Sequence, residues 1–274
     1  MHKTIHPTIL VASPPASRSA SSRRGDTAVG TRGRFGAILL VCGLLAAAAA
    51  PGQGQPRQED RFSTLRQSMV DQQIRGRGVS EPDLLRALEH VPRHRFVPDA
   101  KAGQAYDDRP IEVAPGQTLP QTYTSAVMIG LLELDGDERV LEIGTGTGYD
   151  AAILSRMAAE VFTIEIDESL AGEARSTLGE LGYDNVHVLV GDGYHGWPDK
   201  APFDAILLTA APNRIPKPLV DQLAPGGRLV IAVGSTLHQD LQLITKDDDG
   251  TVRRRRITPL RIGPMTGDID QLRD

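Results

Sequence analysis

The chain has 274 residues, room for one large domain or two small ones, and its 40% hydrophobic content is too apolar for general disorder. Aromatic residues make up 4%, so core volume must come mainly from Leu, Val, Ile and Ala. The single cysteine, Cys42, excludes an internal disulfide framework or Cys-rich zinc site, and a net charge of −5 argues against broad nucleic-acid binding.

The charge is unevenly spread. Residues 1–56 carry six Lys/Arg against Asp26 alone, and the acidic excess lies in 57–274. Residues 1–34 are rich in Ser, Pro, Gly and Arg without apolar period, and read as disordered. An uncharged apolar run over 37–50 follows, shorter than the roughly 20 residues of a bilayer span, so no stable membrane anchor is expected. Its basic flank, short core and Ala-rich end have the pattern of a secretory signal peptide. The alternative is that translation starts downstream, with Met69 a plausible start.

Residues 57–274 form the expected globular part, a helix-and-loop cap over 57–134 and a sheet over 135–274. Met69, Val70, Ile74, Leu84, Leu85, Leu88 and Val91 recur at helical spacing around the break at Gly76 and Gly78. A loop-rich stretch from 105 leads to a helix expected at 125–134. Strands are expected at 139–143, 161–165, 186–190, 203–209 and 228–233, alternating with helices at 149–159, 168–181 and 216–223. A terminal hairpin pairs 241–246 with 251–258 across the acidic turn Asp247–Asp249. The alternation predicts an α/β fold with a mostly parallel sheet, antiparallel at its C-terminal edge.

The chemistry concentrates at the ends of these strands. The first runs into Glu142-x-Gly144-x-Gly146-x-Gly148, where glycines turn the backbone sharply and let a ligand approach it. Glu165 ends the second strand, placed to bridge two ribose hydroxyls, and Asp192 in Gly191-Asp-Gly193 ends the third, where an adenine edge would lie. The spacing is not the dinucleotide G-x-G-x-x-G, and Glu142 would repel a pyrophosphate while welcoming an ammonium or sulfonium. The ligand implied is S-adenosyl-L-methionine. No histidine–carboxylate spacing suggests a metal, so none is expected. Trp197 reads as a packed lid beside Asp192 and His195 as an exposed loop residue. Arg253–Arg256 read as charges that blunt an edge strand.

Several further segments resemble one family, the protein-L-isoaspartate (D-aspartate) O-methyltransferases. They are Met69–Val79, Val91–Pro98, Ala105–Pro110, Gly116–Tyr123, Val140–Tyr149, Gly191–Pro198, Gly226–Val230 and Pro264–Gly267. The resemblance implies a Rossmann-like class I S-adenosylmethionine-dependent methyltransferase fold with an N-terminal helical cap. It also implies repair-type methylation of the misplaced carboxylate of L-isoaspartyl and D-aspartyl residues in damaged proteins. Gln121, Tyr123, Glu142, Gly144, Thr145, Gly146, Gly148, Glu165, Asp192, Gly193 and Gln239 are the implied cofactor contacts, and the 105–125 loop binds substrate.

One position departs. Where the family's loop carries its active-site serine this chain has Pro120, and Thr122 stands at the later proline position. Proline donates no hydrogen bond. Residues two apart in an extended segment share a face, so Thr118 or Thr122 is expected to supply the hydroxyl. A diverged relative without the activity, a small-molecule methyltransferase and a non-catalytic envelope protein are the rival readings. Cofactor supply and the resemblance favour the cytoplasm over export, and a monomer that binds no nucleic acid is expected.

Overall fold

The computed structural model describes residues 58–270. The expected disordered segment and the signal-like run over 37–50 lie outside them. The cap begins with α1 (Gln58–Met69), which passes through a π turn over Val70–Ile74, and α2 (Pro82–His90). Between them Gly78, at φ 93°, takes the left-handed geometry that ends the turn. Phe62 is buried and stacks on His94 with ring centroids 4.0 Å apart, while Arg66 Nε donates to the Glu89 carbonyl at 2.6 Å. Residues upstream of Met69 are therefore integral to the cap, which speaks against Met69 as the start of the folded unit.

The stretch expected as loop from 105 contains a hairpin of β1 (Ile111–Ala114) and β2 (Gln117–Leu119), too short for its alternation to stand out in sequence. The next helix, α3 (Thr122–Gly130), starts three residues earlier than expected, because the Gln121 carbonyl accepts from the amides of Thr124 and Ser125. Thr122 is therefore helical rather than extended.

The sheet holds β3 (Arg139–Ile143), β4 (Glu160–Glu165), β5 (Val186–Val190), β6 (Phe203–Leu208), β7 (Leu223–Gly234), β8 (Gln239–Lys246) and β9 (Val252–Pro259) in the order β5-β4-β3-β6-β7-β8-β9. The first five strands are parallel, and β8 and β9 are antiparallel, as the alternation and terminal hairpin predict. The helices α4 (Tyr149–Ser155), α5 (Glu168–Glu180) and α6 (Lys217–Asp221) follow β3, β4 and β6. Alternate strand residues feed two cores. Val140, Val161, Ala205 and Val230 pack towards the cap, and Leu141, Phe162, Ile206 and Leu229 towards α6 and the C-terminal segment. β3 is the pivot. The chain steps to one side through β4 and β5, then crosses to β6 on the other. Ligands of open α/β sheets bind at such a reversal, beyond the carboxyl ends of the strands.

Candidate active site

A cavity of about 370 Å³ opens at that point. Its floor is the turn after β3, with the ends of β4 and β6 beside it; β1, β2 and residues 120–124 cover one side, and residues 261–266 the other. The turn has little freedom. Gly144 has φ 97°, and a Cβ on it would lie 2.5 Å from Thr209 Oγ1, which donates to the Ile143 and Gly144 carbonyls. Gly148 is also left-handed and caps α4, while Gly146 leaves bare backbone facing the cavity.

Three carboxylates line this space. Glu142 is fully buried, and its Oε2 accepts from Thr163 Oγ1 at 2.6 Å. Thr163 spends its one proton there, so the 2.6 Å contact with Thr145 is donated by the Thr145 hydroxyl. Burial first, then the charge of Asp150, pushes the Glu142 carboxyl well above its ordinary range. Asp150, in the first turn of α4, accepts from Ser125 Oγ at 3.1 Å, and burial raises its carboxyl too. Glu165 receives the Gly146 amide at 2.8 Å on one oxygen and the Asp167 amide at 3.1 Å on the other, tying the glycine turn to β4.

Among the described residues, four buried polar atoms on the cavity wall have no hydrogen-bond partner: Glu142 Oε1, Thr147 Oγ1, Tyr149 Oη and Asp150 Oδ1. Buried polar groups are rarely left so, and a ligand in the cavity would satisfy them. Acidic walls with bare glycine backbone favour a ligand bearing cationic groups, as the sulfonium and ammonium of S-adenosyl-L-methionine are, since a cation beside the buried carboxyls stabilises their ionised form.

The other expected contacts divide between the cavity and its surroundings. Gln121 and Gly193 line the cavity, but Tyr123 does not: Arg77 sits 3.7 Å above its ring. Asp192 stands just behind Gly193, with its carboxylate holding the Tyr194 amide at 2.9 Å and the Asp268 amide at 2.6 Å. It fastens the C-terminal segment and is outside the cavity lining. Gln239 is likewise a clamp, since its amide bonds both the carbonyl and the amide of Ile262. Thr122 is buried and donates to Met69 Sδ at 3.2 Å, whereas Thr118 and Pro120 line the cavity. Trp197 is partly buried and packs edge-on against Phe162 of the core, outside the cavity lining. His195 is exposed as expected and bonds Asp268 at 2.8 Å. With Asp192 these two bring one ligand atom each within 4.8 Å of the others, a trio that sequence spacing hides. The hydrogen bonds among them fasten the C-terminal segment.

Further residues of the cavity wall carry little sequence signal. Asp150, Thr147, Thr124 and Arg261 all line the cavity. An acid two residues past the last glycine was a usable signal for Asp150. Arg261 had none beyond preceding the C-terminal signature. Buried Arg93, within 91–98, donates to the Ala105 carbonyl and to that of Pro120, so it sets the position of the cavity loop.

A parallel sheet reversing at β3, with an acid-lined glycine turn at its carboxyl end, defines an S-adenosyl-L-methionine-dependent methyltransferase. The family model described as protein-L-isoaspartate(D-aspartate) O-methyltransferase matches residues 64–269. The chain belongs to that family. It is 44% identical over 247 residues to protein-L-isoaspartate O-methyltransferase 2 of Syntrophobacter fumaroxidans, covering 86% of this chain and 99% of the relative. That coverage exceeds what residues 58–274 supply, so the similarity reaches upstream of α1. The protein-L-isoaspartate O-methyltransferase of Picosynechococcus is 50% identical over 208 residues, covering 76% of this chain and 93% of its own length. A solved protein-L-isoaspartate O-methyltransferase superposes with a TM-score of 0.67 at 27% identity, covering 74% of this chain and 67% of that one. The cofactor is S-adenosyl-L-methionine, which the orphaned polar atoms and the acidic wall fit.

Proposed function

We propose that this enzyme methylates the free carboxylate of L-isoaspartyl and D-aspartyl residues in damaged proteins. The carrying observation is the acidic cavity with four unsatisfied polar atoms at the sheet reversal, in a chain matched to the family over residues 64–269. S-adenosyl-L-methionine supplies a methyl group made electrophilic by its sulfonium. Glu142, Asp150 and the backbone at Gly144 and Gly146 hold its cationic groups, and Glu165 its ribose hydroxyls. The acceptor carboxylate is ionised at neutral pH, so no general base is required. The protein's task is alignment and exclusion of water. Residues 57–134 serve as the substrate cap, and Thr118, exposed on β2 in the cavity wall, supplies the hydroxyl lost at Pro120. Thr122, engaged with Met69, does not serve there.

The test is methyl transfer from labelled cofactor to two peptides differing only in aspartate or isoaspartate. Transfer confined to the isoaspartyl peptide is expected. Cofactor binding without transfer to either would support the second reading, a diverged relative, which Pro120 alone favours. The working form is a monomer in the cytoplasm, the compartment that makes the cofactor. Cell fractionation and light scattering check both points; recovery in the exported fraction would reverse the first. Among the described residues no helix is long and apolar enough to cross a membrane.

A further inference from the structure

Arg261 is the one Lys, Arg or His side chain in the cavity lining among the described residues. It is exposed and has no hydrogen-bond or ion-pair partner there. Its backbone, by contrast, is held on both sides. The Leu260 amide donates to the Gln239 carbonyl at 3.1 Å, and the Gln239 side chain takes the Ile262 amide at 2.9 Å and gives to the Ile262 carbonyl at 3.2 Å. Two bonds to Ala211, from its amide to the Gly263 carbonyl at 2.7 Å and from the Met265 amide to its carbonyl at 2.9 Å, tie the next residues to the end of β6. A clamped backbone thus holds Arg261, whose guanidinium is unpaired, at the edge of a cavity whose carboxyl groups are Glu142, Asp150 and Glu165.

That distribution separates two ligands by charge. The acids suit a cationic cofactor and would repel an anionic acceptor, so a carboxylate entering the same cavity needs a positive group of its own. We infer that Arg261, positioned by Gln239, binds the acceptor carboxylate and holds the oxygen that does not attack. A guanidinium's planar fork suits this task, since it presents donors to a carboxylate in fixed geometry. The inference rests on the methyl-transfer reading. In that reaction the free oxygen of the carboxylate forms the new bond to the methyl carbon as the carbon–sulfur bond breaks, its electron pair going to sulfur. The carboxylate and sulfonium charges vanish together. Arg261 therefore favours the charged acceptor over the neutral ester, assisting entry and release rather than the chemical step.

The experiment compares the wild-type chain with Arg261→Met and Arg261→Lys on an isoaspartyl peptide, with cofactor affinity measured by calorimetry. Arg261→Met should raise KM about 10- to 100-fold, the worth of a charged hydrogen bond, with kcat within about threefold and cofactor Kd unchanged. Arg261→Lys should recover part of the loss. An unchanged KM in Arg261→Met would overturn the inference, as would a joint loss of cofactor affinity and melting temperature, which marks a structural role. If the wild-type chain fails to methylate the peptide, the methyl-transfer reading fails first and takes this one with it.

Discussion

Pro120 is held through its backbone rather than through its side chain. The Arg93 guanidinium grips the Pro120 carbonyl, which fixes the loop although position 120 offers no donor. Thr118 and Thr122 looked equivalent in an extended segment. The early start of α3 separates them, leaving Thr118 in the cavity wall and turning Thr122 into the core. Thr118→Val should then lower kcat/KM for an isoaspartyl peptide about tenfold, the worth of one hydrogen bond to a charged group, while Thr122→Val leaves it within about twofold. Equal effects in steady-state assays would remove Thr118 from the site. Gly144 is constrained differently. Gly144→Ala would strain a left-handed backbone by about 1–2 kcal/mol and press on Thr209. The expected result is a lower melting temperature and lost cofactor binding, checked by thermal denaturation and calorimetry.

Among the elements, the central sheet was the most legible part of the sequence. β3 and β5 have the expected bounds, and β4 and β6 lie within a residue of theirs, because continuous apolar runs between turn signals leave few alternatives. The cap was less so. β1 and β2 span four and three residues, too few for a period to show. Glycine turns and acids at strand ends are visible as local patterns, whereas the hydrogen bonds that Asp192 and Gln239 make to the C-terminal segment are not. Their partners, Asp268 and Ile262, are distant in sequence, and only the folded C-terminal segment reveals them as clamps. The same difficulty surrounds the start of the fold. Helix α1 has no strong apolar face, yet Phe62 lies against His94 and Arg66 bonds both Glu89 and the Tyr106 hydroxyl. A chain beginning at Met69 should lose about 3–5 kcal/mol from the missing Phe62 alone. A urea melt of the two lengths measures this, and equal midpoints would show α1 to be dispensable.

At the scale of the whole molecule, the site opposes the stability of the free protein. The fold buries Glu142 and Asp150 in the wall of one cavity with one oxygen of each unpartnered, and both carboxyls are raised above their ordinary values of 4.5 and 3.8, by burial first. A carboxyl that holds its proton more tightly folded than unfolded lends stability at low pH. That stability is lost as pH rises from the ordinary carboxylate range through the raised values. The free protein should therefore weaken over that interval. A bound cation would restore what is lost, so cofactor affinity should rise as the same groups ionise. Glu142→Gln keeps an oxygen for the Thr163 hydroxyl and removes the buried charge. At neutral pH it should melt about 2–4 °C higher than wild type without cofactor, if about 1 kcal/mol is recovered. It should also bind cofactor about 10- to 100-fold more weakly. Thermal melts from pH 5 to 8, with and without cofactor, test both halves. A variant no more stable than wild type at neutral pH would mean that the Glu142 charge is already accommodated, and the unsatisfied wall would no longer account for the attraction of a cationic ligand.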